Sequence, residues 1–259
     1  MKALKIAAGV VVLLVVGVVA FLATFDVNQY RGLIQDQAKA ATGREVSIGE
    51  ITLTVSLSPA IVVHDVKLGN APWGSRPEMV IAERIAAHTD LIPLIFGTVN
   101  IGDLEVIGGD VLLETNADGK GNWEFDVETS PDDEAIPLNI DGVSAENLKL
   151  SYRDGVSKMR ADIAAESLGV EIAGALADMI IPSVEVDGAT LSYAEGNTKA
   201  AAKIGSLRLT ADGAIADLNI TNITVNDTTA SYASDGAPVD VAVDTLSLDD
   251  DGELELVAK

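Results

Sequence analysis

The chain contains no cysteine, so neither disulfide bonds nor thiolate chemistry contribute to its fold or function. Imidazole is scarce as well, because His64 and His88 are the only histidines. No serine lies in a G-x-S-x-G frame, and no glycine-rich phosphate loop is present. The carboxylates of residues 132–134 and 249–253 lack the spacing of a calcium-binding loop and lie in turn-like stretches. We therefore predict that the protein is not an enzyme and has no catalytic residue, metal site or cofactor.

Aromatic and basic side chains are also few. Aromatic residues make up 4% of the chain, and valine, isoleucine and leucine dominate its apolar fraction, as is typical of strands. The 17 Lys and Arg residues stand against 40 Asp and Glu residues, which gives a formal net charge of -23. Acidic and basic residues balance in residues 1–100, so the excess acid lies in residues 101–259. Such a surface repels nucleic-acid phosphates, and we expect no nucleic-acid partner.

One long uncharged run lies near the N-terminus, from Ile6 to Phe25. Twenty helical residues at about 1.5 Å each reach about 30 Å, which is the thickness of the hydrocarbon core of a bilayer. A cleavable signal peptide is the alternative, because basic residues precede the run and small residues lie near its end. Signal h-regions are shorter, however, and they favour an A-x-A ending that this run does not have.

We predict that residues 1–25 form a retained transmembrane anchor. Lys2 and Lys5 precede the run and no basic cluster follows it, so the N-terminus is expected in the cytoplasm and the bulk of the chain outside. The anchor residues include Ile6, Val11, Leu14, Val18 and Phe25.

Residues 26–43 are expected to form a short amphipathic helix. Asp26 is placed to cap its first turn, with Gln29 three residues later, and Gly43 provides the stop. Apolar residues recur at helical spacing, at Val27, Tyr30, Leu33, Ile34, Ala38 and Ala41. This stripe can rest on the bilayer surface or cover the end of a sheet, and the second is the more ordinary structural role.

From Arg44 the apolar period changes from 3.6 to 2, which predicts half-buried strands. Residues 44–130 form one β region in this prediction. Gly49, Ser58-Pro59 and residues 69–72 punctuate it with turns or strand ends.

Residues 131–259 repeat with a period of about forty. Tyr152, Tyr193 and Tyr232 occupy equivalent Ser-Tyr positions, 41 and 39 residues apart. We interpret each unit as four short strands, with turns at Asp141-Gly142 and Asp187-Gly188. A propeller blade is the alternative, but blade signatures are absent and three copies cannot close a ring. The prediction is therefore a continuous meander.

One face of these strands is apolar. Leu148, Leu150 and Tyr152 share one face, while Lys149 and Ser151 share the other. No long amphipathic helix follows to cover the apolar face. Either the sheet folds on itself into a packed sandwich, or it curls into a trough whose apolar wall is occupied by lipid. Periodicity alone favours the sandwich, since protein cores are commoner than lipid-filled grooves.

Six motifs lie in a fixed order along the first half of the chain. They are Asn28-Gln29-Tyr30-Arg31, Thr42-Gly43-Arg44-Glu45-Val46, the Pro59 strand, Asn70-Ala71-Pro72-Trp73, Leu91-Ile92-Pro93-Leu94-Ile95-Phe96-Gly97 and Asp118-Gly119-Lys120-Gly121-Asn122-Trp123. Together with the anchor, this ordered set resembles the N-terminal region of the AsmA family of bacterial envelope proteins. The likeness is clear to about Asp126 and is generic, as β repeats, beyond that point.

The resemblance implies a mainly β protein: an inner-membrane anchor and a periplasmic, extended, curled antiparallel sheet with a hydrophobic groove. It further implies that the groove carries phospholipid towards the outer membrane and contributes to outer-membrane assembly. The expected fold therefore becomes the groove. Candidate wall residues are Leu148, Leu150, Tyr152, Leu191, Tyr193 and Tyr232, which in a sandwich would fill the core.

A second function stays open, in which the protein is a non-enzymatic periplasmic scaffold. Its sheet edge would then pair with an envelope protein by strand addition. Members of the family are usually longer, so we also expect the chain to be a fragment, one part of a relay or a piece that needs a partner.

Overall fold

The computed structural model describes residues 26–54, 59–89, 101–125, 140–173, 179–213, 219–249 and 253–258. The predicted anchor, with Ile6, Val11, Leu14, Val18 and Phe25, lies outside these residues. None of the helices in the described ranges is both long enough and apolar enough to cross a bilayer.

The described chain begins with a single 3₁₀ turn and one α-helix. The Asp26 side chain accepts a hydrogen bond from the backbone N–H of Asn28 at 2.9 Å, which caps the 3₁₀ turn Val27–Tyr30. The α-helix α1 then runs over Arg31–Thr42 and ends at Gly43, whose φ of 66° is left-handed. Glycine adopts this conformation without the steric cost of a Cβ, which is why the helix stops there. No residue of α1 is buried.

The rest of the described chain is one large, curled sheet of thirteen strands, so the prediction of a mainly β protein is confirmed. The strands are β1 (Val46–Ser47), β2 (Ile51–Thr54), β3 (Ala60–Gly69), β4 (Glu78–Thr89), β5 (Ile101–Ile107), β6 (Asp110–Glu114), β7 (Ile140–Arg153), β8 (Arg160–Ala173), β9 (Ile180–Glu195), β10 (Thr198–Asp212), β11 (Asn219–Ala233), β12 (Val239–Leu248) and β13 (Leu254–Ala258). Their order in the sheet is β1-β3-β4-β5-β7 and then consecutive to β13. The short strand β2 also pairs with β3, and β6 lies between β4 and β7.

The prediction of an antiparallel sheet is wrong at one place. Both β5 and β6 run parallel to β7, with Ile101 opposite Ile140 and Asp110 opposite Lys149. All other pairs of the described strands are antiparallel, so the sheet is mixed. A parallel pair requires a crossover connection that returns the chain to the same end of the sheet. Apolar alternation fixes which face a side chain occupies but carries no information on strand direction, so the sequence could not reveal this reversal.

The repeat consists of one long hairpin, where we expected four short strands. The dipeptides Asp141-Gly142 and Asp187-Gly188, which we interpreted as turns, lie inside β7 and β9. Forty residues therefore make two strands of about fifteen residues each, and the three repeat tyrosines occupy alternate strands, β7, β9 and β11.

A line of kinks crosses the sheet and explains that error. In every long strand, two consecutive polar or glycine residues interrupt the apolar alternation. These pairs lie opposite one another in neighbouring strands. They are His64-Asp65, Glu83-Arg84, Glu146-Asn147, Glu166-Ser167, Asp187-Gly188, Gly205-Ser206, Asn226-Asp227 and Asp244-Thr245; we call this set the kink line. Asn147, Gly188 and Asp227 occupy equivalent repeat positions and have φ of 55°, 60° and 50°. At each of these positions the apolar alternation changes parity, and the pairing stays in register because the extra residues of neighbouring strands lie opposite one another.

The small core lies where β3 meets β4. Ala60, Val62 and Ala86 form its buried apolar cluster. Among the described elements, each strand makes its extensive contacts with the strands beside it in the sheet. The 3₁₀ turn makes such contacts with β2, and α1 makes them with β1. In the part of the chain that the structure describes, the sheet therefore forms a single layer and not a sandwich.

Candidate functional site: the apolar face of the sheet

The repeat tyrosines belong to one row of side chains that crosses the sheet. Tyr152 lies opposite Ala161, which lies opposite Tyr193, and Ala200 lies between Tyr193 and Tyr232. Residues that pair directly across strands share a face. The complete tyrosine row is Leu113, Tyr152, Ala161, Tyr193, Ala200, Tyr232 and Val239. Each alanine leaves a gap between two rings that are two strands, or about 10 Å, apart.

Three further rows are apolar throughout. The second row is Val46, Leu68, Val80, Val111, Leu150, Ile163, Leu191, Ala202, Ala230 and Val241. The third row, beyond the kink line, is Ile51, Val63, Ile85, Val106, Ala145, Leu168, Val186, Leu207, Val225, Leu246 and Leu256. The fourth row is Leu53, Ile61, Ala87, Leu104, Val143, Val170, Val184, Leu209, Ile223, Leu248 and Leu254.

The kink line keeps these rows on one face. A shift of one residue moves every following side chain to the other face of a strand. In β7 the apolar residues change from odd to even numbers between Ala145 and Leu148, at the extra residue Asn147. The two sides of the kink line therefore present one continuous apolar face. The third row crosses eleven strands, which at about 4.8 Å per strand is about 48 Å.

All six predicted wall residues lie on this apolar face. Leu148 pairs with Ala165, and Leu150 pairs with Ile163, two residues further along the same strands. Leu150 is 37% exposed and Tyr232 is 52% exposed, and Leu148, Tyr152, Leu191 and Tyr193 are half-buried by their neighbours in the sheet. The structure therefore brings the six residues together, and their contact with lipid stays a prediction.

The opposite face of the sheet is polar from β7 to β12, whereas over β3 and β4 it carries the buried cluster of Ala60, Val62 and Ala86. Arg153 forms an ion pair with Asp162 at 2.5 Å, and Arg208 pairs with Glu185 at 2.7 Å. Partial burial raises the pKa of Asp162, but hydrogen bonds from Arg153 and Ser151 outweigh it and hold this pKa below its usual value. From β7 to β12 the sheet thus has one polar face and one apolar face.

The tyrosine row forms the margin of the apolar face. The Tyr193 hydroxyl donates a hydrogen bond to Glu195 Oε2 at 2.6 Å, and this bond raises the tyrosine pKa. The Tyr152 ring contacts Trp123, with ring centroids 6.2 Å apart. Rings with an apolar body and a polar tip suit a boundary between an apolar surface and water. Sequence reasoning placed the tyrosines on the apolar face but did not identify them as its edge.

A buried polar cluster fixes the neighbouring end of the sheet. Asn122 is fully buried; its side chain accepts a hydrogen bond from the Glu114 N–H and donates to Leu112 O and Asn70 Oδ1. The Glu114 carboxylate accepts hydrogen bonds from the Asn70 side chain and the Ser75 N–H, both at 2.8 Å. The cluster joins the turns after β3 and β6. Its signal in the sequence was the pair of motifs at residues 70–73 and 118–123, whose mutual contact was not predicted.

The described residues contain no group of three or more His, Asp and Glu side chains arranged to hold a metal ion. A depression of about 800 Å³ lies beside the sheet end that includes His88, and it is lined by Asp103, Glu105 and Glu185 among others. His88 Nε2 is 3.7 Å from Glu105 Oε2. These carboxylates repel an anionic headgroup, so the depression is a poor site for one.

The family model described as the AsmA family matches residues 1–205. This range extends well past residue 126, where the recognisable motifs end, and it includes β7, β8 and β9. No curated protein matches the chain.

Proposed function

Because the chain belongs to the AsmA family, we propose that its apolar face carries phospholipid acyl chains across the sheet, as a conduit from the inner membrane towards the outer membrane of a bacterial envelope. The protein contributes to outer-membrane biogenesis in this way. It acts by binding and guiding lipid, without chemical conversion.

The observation that supports this proposal is the continuity of the four apolar rows. The third and fourth rows each cross eleven strands without a polar residue, and the second row crosses ten. In a sandwich, such rows would be covered by a second layer of strands, whereas the described sheet is a single layer. A flexible acyl chain can slide along a row whose every step is apolar.

The energetics suit transfer better than storage. At about 0.8 kcal/mol per CH₂, an acyl chain of about sixteen carbons gains about 13 kcal/mol on leaving water. A lipid that leaves a bilayer already has this stabilisation, so its net gain in the groove is close to zero. The apolar face therefore lowers the barrier to movement without setting its direction. A lipid gradient or a partner protein sets the direction.

The proposed location follows from the N-terminal sequence. The uncharged run from Ile6 to Phe25 spans the inner membrane, with Lys2 and Lys5 on the cytoplasmic side. The sheet then lies in the periplasm. The acidic polar face, which opposes close approach to anionic headgroups, faces the water of that compartment.

Site-specific photo-crosslinking tests the proposal. A photoreactive amino acid at Leu150 or Leu191, in the full chain in living cells, is expected to capture phospholipid. Matched positions on the same strands but on the polar face, Lys149 and Ser192, are expected to capture several-fold less. Equal capture at both pairs of positions, or no lipid at any of them, would contradict the conduit.

Strand addition to an envelope protein is the second candidate. Its supporting observation is that β13 pairs only with β12 among the described strands, and a strand edge without a partner can accept a further strand. Leu254 of β13 is also 68% exposed. Reproducible capture of one protein at β13, with no lipid captured at Leu150 or Leu191, would favour this candidate over the conduit.

A further inference from the structure

The helix α1 is attached to the edge of the sheet by its polar side chains. It runs beside β1 and β2, in the opposite direction to the chain in those strands. In the 3₁₀ turn before α1, the Asn28 amide both donates to and accepts from the Ile51 backbone at 2.9 Å. In α1 itself, Arg31 donates to Gly49 O at 3.4 Å, and Gln35 donates to Val46 O at 3.1 Å. Lys39 forms an ion pair with Glu45. The Asn28 amide thus acts as one more residue of the sheet ladder.

The apolar residues of this helical segment lie on the other side. At about 100° per residue, Tyr30, Leu33 and Ile34 point roughly away from the side that carries Asn28 and Gln35. Their exposed fractions are 45%, 57% and 45%. An ordinary surface helix places its apolar stripe towards the protein and its polar residues towards water. Here the order is inverted, so the apolar stripe does not cover the sheet end as expected.

We propose that this outward apolar stripe of α1 lies in the interfacial layer of the bilayer entered by the adjoining run Ile6–Phe25. Only Asp26 separates that run from the 3₁₀ turn at Val27, so this turn begins within a few ångströms of the point where the uncharged run ends, and α1 follows the turn directly. A tyrosine at such a depth is favoured, since its ring is amphipathic.

The charge of α1 also favours the bilayer as its partner. The segment Arg31–Thr42 carries two basic residues and one acidic residue, whereas the whole chain has a net charge of -23. The helix can therefore approach an anionic headgroup layer that repels most of the molecule. A second copy of the chain would bring two strongly acidic bodies together and is disfavoured for the same reason.

The inference uses the proposed anchor but not the proposed lipid transfer, and it orients the sheet. With α1 lying flat on the bilayer, β1 and β2 are parallel to the membrane surface. The apolar rows, which cross the strands, then begin at the membrane and rise away from it.

Because the chain has no cysteine, single-cysteine variants test this arrangement cleanly. The full chain with Leu33→Cys carries an environment-sensitive fluorophore and is reconstituted into vesicles of phosphatidylethanolamine and phosphatidylglycerol that contain spin-labelled lipid. Val156→Cys, at a residue that is 61% exposed in the turn between β7 and β8, is the matched control. We expect several-fold stronger quenching at position 33 than at position 156.

Equal quenching at the two positions would overturn the inference, and so would a chain that does not float with the vesicles. Disulfide formation between two copies of the unlabelled Leu33→Cys variant, together with no quenching of the labelled one, would assign the stripe to a second chain. Failure of lipid capture at Leu150 leaves the quenching result unaffected, so the two proposals fail separately.

Discussion

A few residues in this sheet have backbone or burial requirements that their neighbours do not share. Asn147, Gly188 and Asp227 take left-handed φ values in the middle of strands, where Asn, Asp and Gly are the residues that tolerate this conformation best. Asn122, at the end of the sheet, is fully buried although it is polar. Stability should therefore depend strongly on these positions and weakly on similar residues elsewhere.

The buried amide of Asn122 gives the first prediction. Asn122→Ala leaves the Glu114 N–H, the Leu112 carbonyl and Asn70 Oδ1 without this partner. We expect a loss of about 1–3 kcal/mol in the free energy of unfolding, measured by urea denaturation of the detergent-solubilised chain. The control Asn197→Ala removes an exposed amide that bonds Asp235, and its cost should stay below about 0.5 kcal/mol. Equal costs would show that the cluster does not stabilise the sheet end.

For the strands, the sequence predicts which face a side chain occupies, but it does not predict strand direction or strand length. Alternation correctly placed Leu150 and Leu191 on one face, because side-chain period depends only on local backbone geometry. The direction of β5 and β6 relative to β7 could not be predicted, because strand pairing depends on contacts between residues that are distant in the sequence. The length of β7 and β9 could not be predicted either. In the sequence, a change in alternation at Asn147 or Gly188 is indistinguishable from the end of a strand.

The kink line gives a prediction at the level of one strand. Gly188→Ala puts a Cβ on a backbone with φ of 60° and 2.5 Å from the Glu166 side chain. The left-handed conformation should cost about 1–2 kcal/mol in the free energy of unfolding. Gly169→Ala in the adjacent strand is the matched control, because a Cβ there meets no atom within 4 Å and the φ is ordinary. A Gly188→Ala variant as stable as Gly169→Ala would mean that the kink is not strained by a side chain.

At the scale of the whole described sheet, the strands from β7 to β12 have one apolar and one polar face. The rows of one face are apolar over about 48 Å, while the ion pairs of Arg153 and Arg208 lie on the other. The strong net negative charge also opposes the stacking of two copies, which would otherwise hide the apolar face.

Continuity of the rows gives a prediction for the molecule as a whole. Leu191→Lys places a charge in the second row on β9, between the β1 end of this row and Val241 on β12. Lipid capture by a photoreactive residue at Val241 should fall several-fold, because a charge in an apolar path is costly to pass. Ser192→Lys carries the same charge on the polar face and should leave capture unchanged. Similar capture in the two variants would indicate that lipid does not travel along the row.

The one-hairpin repeat has a consequence for how such a protein can change in size. Duplication of a segment of about forty residues adds two strands, which lengthens the sheet by about 10 Å. The new copy brings its own kink and its own tyrosine, so existing rows continue in register without any compensating substitution. The length of such a sheet, measured across its strands, can therefore change during evolution in steps of one hairpin.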